Sequence, residues 1–280
     1  MRHGPPERLG SLTALDEFSD FRHWPRTRDL VISATMRAGT EYRKLQVDPV
    51  QAAGLFRTGA TLAFESVDQW HPVLGRWVRA LARDFGLPAD LCHCNVYVSP
   101  KGGGVPRHFD SHHVIVVHLI GTKIWTLSPN RNVVHPVDNH VASHEPSPSL
   151  ARDAHGRISR AMPRGSTRTA MRPGSVLFLP AGHWHATRSM GSSMSVTFGL
   201  RTLRWVELLR DAIVARLEPI AEWREPAWGA AGTSRQKDAA ARRLDSLLRR
   251  MQEDLGQLTA TDIIRSAFPR RKKTPRARRD

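Results

Sequence analysis

The stretch "PRHFDSHHVIVVHLIGTKIW", residues 106–125, carries most of the information about the fold of this chain. It places four histidines and one aspartate between His108 and His118, and it then turns at Gly121 towards Lys123. The apolar runs "HVIVVHLI" and "KIWTL" are typical of strands that are buried on at least one face. The sequence therefore predicts a hairpin of strands that begins next to several side chains able to bind a metal.

Strand patterns also occur before and after this stretch, in "HCNVYVS", "SVLFLP" and "SMSVTFGL", with the turn sequences "PKGGG", "RPG" and "MGSS" between them. They predict a mainly β core made of antiparallel strands. Helical periodicity appears on either side of this core, in "HPVLGRWVRALARDF", "RWVELLRDAIVARL" and "RQKDAAARRLDSLLRRMQEDLGQL". The first of these helices is predicted to bury one apolar face, formed by Leu74, Trp77, Val78, Leu81 and Phe85.

These patterns divide the chain into four parts. Residues 1–84 are predicted to form a helical or mixed region that packs on the β core, with a first helix in "SLTALDEFSDF". Residues 85–202 form the β domain, in which residues 129–172 are rich in Ser, Pro, Arg and His and are predicted to be a surface insertion or mobile loop. Residues 203–264 are predicted to be helical, and residues 265–280 to be a disordered basic tail.

The chain is strongly basic, with a formal net charge of +16 over 280 residues. The final sixteen residues hold eight basic side chains and one acid, so the positive charge is spread along the chain and also concentrated at its end. Such a balance favours anionic partners such as nucleic acid, ribosomes or acidic peptides, without choosing among them. We expect weak nucleic-acid contact through the tail, although charged termini are commonly solvated.

The two cysteines, Cys92 and Cys94, are separated by one residue, which makes a mutual disulfide strained. Zinc binding by "CHC" is an alternative, but structural zinc normally uses two separated pairs of ligands, so two buried thiols on a strand are expected instead. A reducing cytoplasm is the compartment that this cysteine usage favours. No apolar stretch has the length of a signal core or a membrane span, and we expect no membrane partner.

His108 and Asp110 are two residues apart, so on an extended backbone both side chains point to the same face of the sheet. A third ligand is expected from a neighbouring strand, and "LPAGHWHATRS" offers both His183 and His185. Two histidines and one carboxylate form the facial triad of non-heme Fe(II) oxygenases, which leaves coordination positions open for a 2-oxo acid and dioxygen. The spacing alone leaves the choice between the two histidines open.

The stretch "NVYVSPKGGGVPRHFDSHHVIVVHLIGTKIWTL", followed by "LPAGHWHA", resembles the JmjC-type cupin oxygenases, and within them the ribosomal-oxygenase-like branch. The resemblance is densest over residues 92–200, and "GATLAFESVDQWHP" before it is similar to the region that precedes the barrel in that branch. It implies a double-stranded β-helix of the cupin or jelly-roll type that binds Fe(II) and uses 2-oxoglutarate and O2. The metal-binding pattern of the family falls on His108, Asp110 and His185.

The resemblance also indicates which histidine is the third metal ligand and where the other histidines lie. His185 is preferred over His183 because the family's ligand is the last residue of Pro-x-Gly-x-x-His, here "PAGHWH". His113 is expected to face away from the metal, and His112 and His118 are expected to line the pocket at most.

Cosubstrate residues are predicted in the same way. Lys123, between apolar residues on an inner strand, needs an anion, because an unpaired buried ammonium is heavily penalised. The distal carboxylate of 2-oxoglutarate is such an anion, and the family places a Lys or Arg fifteen residues after the first ligand histidine. Asn95 and Tyr97 match family residues that line the cosubstrate pocket. Ser195 and Thr197 are further candidates that could supply a hydroxyl from the last strand.

These features favour an Fe(II)- and 2-oxoglutarate-dependent dioxygenase that hydroxylates a protein or peptide side chain, with succinate and CO2 as products. In the resembling branch the substrates are Arg or His side chains of ribosomal proteins, but the region after Thr202 is short and different, which weakens that assignment and leaves the oligomeric state open. The alternatives are an oxygenase acting on a free amino acid or another small molecule of a biosynthetic pathway, and a non-catalytic basic cupin that binds RNA or the ribosome. Demethylation would use the same three metal ligands.

Overall fold

The structure, a computed structural model, describes residues 1–15, 18, 30–38, 41–256 and 258–268. The chain forms two compact units, Met1–Thr202 and Leu203–Asp280. Residues 269–280, most of the predicted basic tail, lie outside the described residues, as does much of the helix predicted in "SLTALDEFSDF". The described part of the first twenty residues contains a 3-10 helix at Pro6–Thr13.

The first unit consists mainly of strands. Its described strands and α-helices are β1 (Val31–Ala38), β2 (Glu41–Val47), α1 (Pro49–Arg57), β3 (Thr61–Glu65), α2 (Pro72–Asp84), β4 (Cys92–Ser99), β5 (His108–Phe109), β6 (His113–Ile120), β7 (Lys123–Ser128), β8 (His140–Val141), α3 (Pro148–Asp153), β9 (Thr167–Met171), β10 (Val176–Leu179), β11 (Trp184–Ser189) and β12 (Ser193–Leu200).

Two antiparallel sheets make up this unit. One has the strand order β10-β6-β12-β4-β3-β1-β2, and the other has the order β8-β5-β11-β7-β9. Strands from both sheets line one pocket, which therefore lies between them. The predicted mainly β core with helices before and after it is confirmed. Three strands from the N-terminal part of the chain, β3, β1 and β2, extend one edge of the larger sheet.

Strand β4 has two different faces because its side chains alternate. Cys94, Val96 and Val98 are buried in the largest hydrophobic core, which α2 covers with Leu74 and Val78. The intervening side chains of β4 are less completely buried and face the other side. Phe85, which was predicted on the apolar face of α2, follows the helix and is largely exposed, because the helix ends at Asp84.

The region 129–172 contains more regular structure than its composition predicts. It includes β8, α3 and β9, and it contributes a strand to each edge of the smaller sheet. These strands are two to five residues long, too short for a clear alternating pattern in a segment rich in Ser, Pro and Arg. β8 pairs with β5 and β9 pairs with β7, and long stretches of chain separate the strands of each pair. A local sequence pattern therefore could not predict these pairings.

The second unit is helical, as predicted. It contains α4 (Trp205–Leu217), α5 (Ser234–Leu255) and α6 (Ala260–Ala267), and α4 packs against α6. Helix α5 begins with a capping box between Thr233 and Gln236, which satisfies backbone groups at its first turn. None of the helices in the described part of the chain combines the length and apolar character that crossing a membrane requires.

The turn between β6 and β7 requires a glycine. Gly121 has φ 74°, in the left-handed region, and a Cβ atom built on it would lie 2.1 Å from the carbonyl oxygen of Ser192. A side chain there would meet both backbone strain and a backbone atom that cannot move aside. This turn fixes where β7 begins, and Lys123 is the first residue of that strand.

We expect Gly121→Ala to lower the free energy of unfolding by roughly 1–3 kcal/mol, because alanine is strained in the left-handed region. Gly191→Ala is the matched control, since Gly191 has no left-handed φ and an added Cβ there would meet open space. That variant should be neutral or slightly stabilised. Urea unfolding followed by circular dichroism measures both, and equal effects in the two variants would contradict this account of the turn.

Candidate metal and cosubstrate site

Three predicted metal ligands meet at the end of the smaller sheet. His108 in β5 lies directly opposite His185 in β11, and Asp110 follows β5. The Nε2 atoms of the two histidines lie 3.9 and 3.7 Å from Oδ2 of Asp110. The backbone N–H of Gly182 donates to the carbonyl of Asp110 at 2.7 Å, which ties the third residue to the turn before β11.

Both histidines are oriented by backbone hydrogen bonds. Nδ1 of His108 donates to the carbonyl of Pro106 at 2.7 Å, and Nδ1 of His185 donates to the carbonyl of His183 at 3.0 Å. These bonds place the proton on Nδ1 and leave the Nε2 lone pairs facing Asp110. Metal-binding histidines commonly have this arrangement, with the second ring nitrogen bonded to a carbonyl or carboxylate. The donor set therefore fits a divalent metal such as Fe(II).

The charge states of these groups also suit a metal. Burial lowers the pKa of His185 to about 4, so its imidazole is neutral at physiological pH. Burial raises the pKa of the Asp110 carboxyl, but the neighbouring His108 and His185 outweigh it, and the pKa lies below its ordinary value. Neutral imidazole and ionised carboxylate are the forms that bind metals. Within the described ranges, these three residues are the one group of His, Cys, Asp and Glu that could hold a metal ion.

The other candidate histidines occupy separate places. His183, the alternative to His185, is not part of the metal-binding group. Nδ1 of His113 accepts a hydrogen bond from the backbone N–H of Ala181, and its ring stacks on Phe178.

The remaining two histidines are buried to different degrees. The ring of His112 lies 5.4 Å from that of His93, and it is close enough to Asp110 to affect the pKa of both groups. His118 is fully buried, and its Nε2 donates to the carbonyl of Gly121 at 3.2 Å. Neither is part of the metal-binding group.

Lys123 lies inside the same pocket and is 3% exposed. Its Nζ donates to the hydroxyl of Ser99 at 3.0 Å, and within the described part of the chain no carboxylate forms an ion pair with it. Burial lowers the pKa of Lys123 to about 8. Among the described residues its hydrogen-bond partner is a neutral hydroxyl, and a buried ammonium in such surroundings suits an anionic ligand.

The pocket between the sheets encloses about 430 Å3 of space, part of it open to solvent. Tyr97, Ser195 and Thr197, three of the predicted cosubstrate residues, line it. Asn95 is not among its lining residues. Instead Asn95 is hydrogen-bonded to Tyr97 and accepts a hydrogen bond from the backbone N–H of Ser66, so it orients the tyrosine. Burial raises the pKa of Tyr97, which keeps its hydroxyl protonated.

Sequence reasoning did not identify several pocket residues. Trp125 follows Lys123 by two residues and Thr187 follows His185 by two, so the period of a strand could have found both. Ser99 follows Tyr97 in the same way and holds Lys123. Val105 and Val114 complete the lining and carry no comparable signal.

Cys92 and Cys94 are free, buried thiols on the opposite face of β4. Burial raises the pKa of both thiols, well above the ordinary value for Cys94, so neither is a thiolate ready to bind zinc. The expectation of two buried thiols agrees with this arrangement.

Residues 83–208 match the family model described as the JmjC domain. The uncharacterised protein YxbC of Bacillus subtilis is 27% identical over 226 residues, which cover 79% of this chain and 68% of that protein. Ribosomal oxygenase 2 of Bos taurus is 26% identical over 159 residues, covering 55% of this chain and 30% of the relative.

Among solved structures, the X-ray structure of E. coli ycfD matches with a TM-score of 0.50 and 17% sequence identity. The match covers 89% of this chain and 61% of that one, and it shows a shared fold. This chain therefore spans about three fifths of the ycfD chain and less than a third of ribosomal oxygenase 2.

The fold and the pocket agree with the match to the JmjC domain, which covers residues 83–208 and includes the three candidate metal ligands and Lys123. The chain is also similar in sequence to the ribosomal oxygenases, as the sequence analysis predicted.

We expect His185→Ala to lose tight metal binding, because it removes one of three converging ligands, whereas His183→Ala should bind metal like the wild type. Titration of the full chain with Co(II), followed by visible absorption, measures both affinities. If His183→Ala loses the metal and His185→Ala retains it, the third ligand has been assigned to the wrong histidine.

The affinity for 2-oxoglutarate should fall as the pH rises above about 8, because the folded pKa of Lys123 is lowered to about 8 and only the ammonium attracts a carboxylate. Lys123→Ala should cost roughly 2–5 kcal/mol of binding at neutral pH, which is about 30-fold or more in affinity. Lys123→Arg should recover part of that loss and remove the pH dependence above 8, since a guanidinium stays protonated.

Anaerobic titration with 2-oxoglutarate at saturating metal, followed by the metal-to-ligand charge-transfer band, tests both statements. Wild-type affinity in Lys123→Ala would place the carboxylate anchor elsewhere in the pocket.

Proposed function

We propose that this protein hydroxylates a side chain of a protein or peptide in an Fe(II)- and 2-oxoglutarate-dependent reaction that yields succinate and CO2. One observation carries the proposal: a set of two imidazoles and a carboxylate shares a pocket with a buried lysine that has no anionic partner among the described residues. The first feature suits a metal, and the second suits the far end of a dicarboxylate.

Each residue then has a defined task. His108, Asp110 and His185 would hold Fe(II), which, when bound, supplies the activation of dioxygen. Lys123 would bind the distal carboxylate of 2-oxoglutarate, while its hydrogen bond to Ser99 fixes the direction of the ammonium. Ser99 also accepts a hydrogen bond from Thr61, so a chain of hydroxyl groups supports the lysine from β3.

The walls of the pocket complete these tasks. Tyr97 and Thr197 offer hydroxyl groups to the cosubstrate, and Val114 and Trp125 exclude water from it. The indole of Trp125 stacks on the ring of His185 at 5.7 Å and so restrains the orientation of that imidazole.

An open groove beside the metal site supports a macromolecular substrate. It spans about 960 Å3, part of which is open solvent, and its lining includes His93 and Asn95 of β4. The ring of His93 lies 5.4 Å from that of His112, which is two residues after Asp110 in the chain, so the groove lies close to the candidate metal ligands. A side chain could reach the metal from this groove while the rest of a polypeptide stays outside the barrel.

The charge of the groove favours a basic substrate segment. Its lining includes Glu65, Asp68 and Asp90, and no lysine or arginine is among the lining residues. Glu65 is paired with Lys44, and Asp68 accepts a hydrogen bond from the backbone of Cys94, which leaves Asp90 on the rim without an ion pair in the described part of the chain. A groove of this sign in a chain of net charge +16 is complementary to the basic segments common in ribosomal proteins.

The test is a comparison of proteomes from cells with and without the gene, searching for peptides heavier by one oxygen atom. The 280-residue chain, supplied with Fe(II), 2-oxoglutarate and O2, should then modify the identified peptide and form one succinate and one CO2 per oxygen added. Asp110→Ala should do neither. Loss of a methyl group instead would identify a demethylase, and turnover with small molecules alone would favour the biosynthetic alternative.

A further inference from the structure

We propose that residues 130–158, here called the buttress, form one cooperative unit with the metal ligands. The packing of the buttress sets the affinity for the metal, and metal binding in turn orders the buttress. The inference rests on the proposed function in one respect, since it takes His108, Asp110 and His185 as the ligands.

The first support is a strand pairing. β5, which carries His108, is two residues long and lies between β11 and β8. β8 belongs to the buttress, and it places Val141 opposite His108 and His140 opposite Phe109. The backbone N–H of Ala142 also donates to the carbonyl of Arg107 at 2.9 Å. Without β8, so short a strand would be held from one side alone.

The second support is a pair of aromatic side chains next to the ligands. Phe109 lies between His108 and Asp110 in the chain, and Trp184 precedes His185. Both are buried, and their rings meet edge to face with centroids 4.8 Å apart and an interplanar angle of 86°. A shift of either ring would therefore move the backbone of a neighbouring ligand.

The buttress supplies the surroundings of this pair. Together with Phe109 and Trp184, the buried residues Val133, Ala142 and Leu150 form a hydrophobic cluster distinct from the two other cores. The ring of His140 also lies 5.6 Å from that of Phe109 and 5.9 Å from that of Trp184. Because the cluster is small and separate, its order can change without unfolding the rest of the β core.

The third support is a pair of hydrogen bonds to the residue that follows Asp110 in the chain. Oδ1 of Asn139, in the buttress, accepts hydrogen bonds from the backbone N–H of Ser111 at 2.7 Å and from its hydroxyl at 3.1 Å. Ser111 directly follows Asp110. The buttress therefore holds the chain immediately before and immediately after the carboxylate ligand.

Metal affinity and the order of the buttress are thermodynamically linked, so each affects the other. If an ordered buttress keeps three ligands converged, loosening it lowers the population of molecules that can bind the metal, and the apparent affinity falls. The metal must stabilise the ordered buttress by the same factor.

Two leucine variants test the first direction. Leu150→Ala opens a cavity in the cluster of the buttress, while Leu74→Ala opens one in the largest core; both side chains are fully buried. In Co(II) titrations of the full chain, Leu150→Ala should bind about 10-fold more weakly or worse, as when partners of metal ligands are removed. Leu74→Ala should bind like the wild type. Equal affinities in the two variants would overturn the proposal.

Asn139→Ala provides a variant without a core cavity, and it decides the matter if Leu150→Ala does not fold. It should also weaken Co(II) binding, because it frees the segment after Asp110, and wild-type affinity in this variant would count against the proposal. Failure of the wild type to bind Co(II), or undiminished binding by Asp110→Ala, would instead refute the ligand set itself.

Amide hydrogen exchange of the wild-type protein tests whether metal binding orders the buttress. Co(II) should slow exchange in peptides covering residues 130–158, and it should leave peptides from residues 61–82 unchanged. Exchange in the buttress that is indifferent to the metal would show that the two do not form one unit.

Discussion

The pairing of β5 with β11 is the constraint on which the site depends. It sets His108 opposite His185, two residues that are 77 positions apart in the chain, and it does so at the end of a ladder that also pairs β11 with β7. In that ladder Ser189 lies opposite Lys123, so the same strand sets the positions of the candidate metal ligand His185 and of the buried Lys123. A slip of one residue in this register would turn the side chains of β11 to the other face of the sheet. His185 would then no longer lie on the same side as His108 and Lys123.

The sequence predicted the parts of the site that follow from strand periodicity and from motif spacing. His108 and Asp110 share a face because they are two residues apart, and Lys123 follows a turn that Gly121 makes obligatory. Trp125 was within reach of the same reasoning but was not identified. The mainly β core and the flanking helices were predicted correctly from the same patterns, whereas the double-stranded β-helix and the cofactor class were predicted correctly from the resemblance to the JmjC-type cupin oxygenases.

The remainder depended on contacts between segments far apart in sequence. Leu150 lies in a stretch of serines, prolines and arginines with no apolar period, and its partners Phe109 and Trp184 come from two other strands. β8 and β9 are too short to show alternation. Asn95 was placed in the pocket by similarity, whereas it lines the neighbouring groove and accepts a hydrogen bond from the backbone of Ser66, a difference that spacing cannot resolve.

The electrostatics of the pocket follow from burial. The neutral imidazole of His185 adds no charge, and the carboxylate of Asp110 balances the ammonium of Lys123, so a bound divalent cation would add two positive charges to the pocket. Under the proposed function, a dicarboxylate would neutralise these two charges, whereas a monoanion would leave one of them unbalanced.

Because side chains alternate along β4, the packing of the core and the lining of the groove and pocket depend on different residues of the same strand. Cys94, Val96 and Val98 serve the core, while His93, Asn95 and Tyr97 face the groove and the pocket. Replacement of His93 would therefore change the wall of the groove with little effect on core packing. Loss or gain of a single residue in this strand would exchange the two sets, so the strand should tolerate substitution at the groove-facing positions more readily than a change of length.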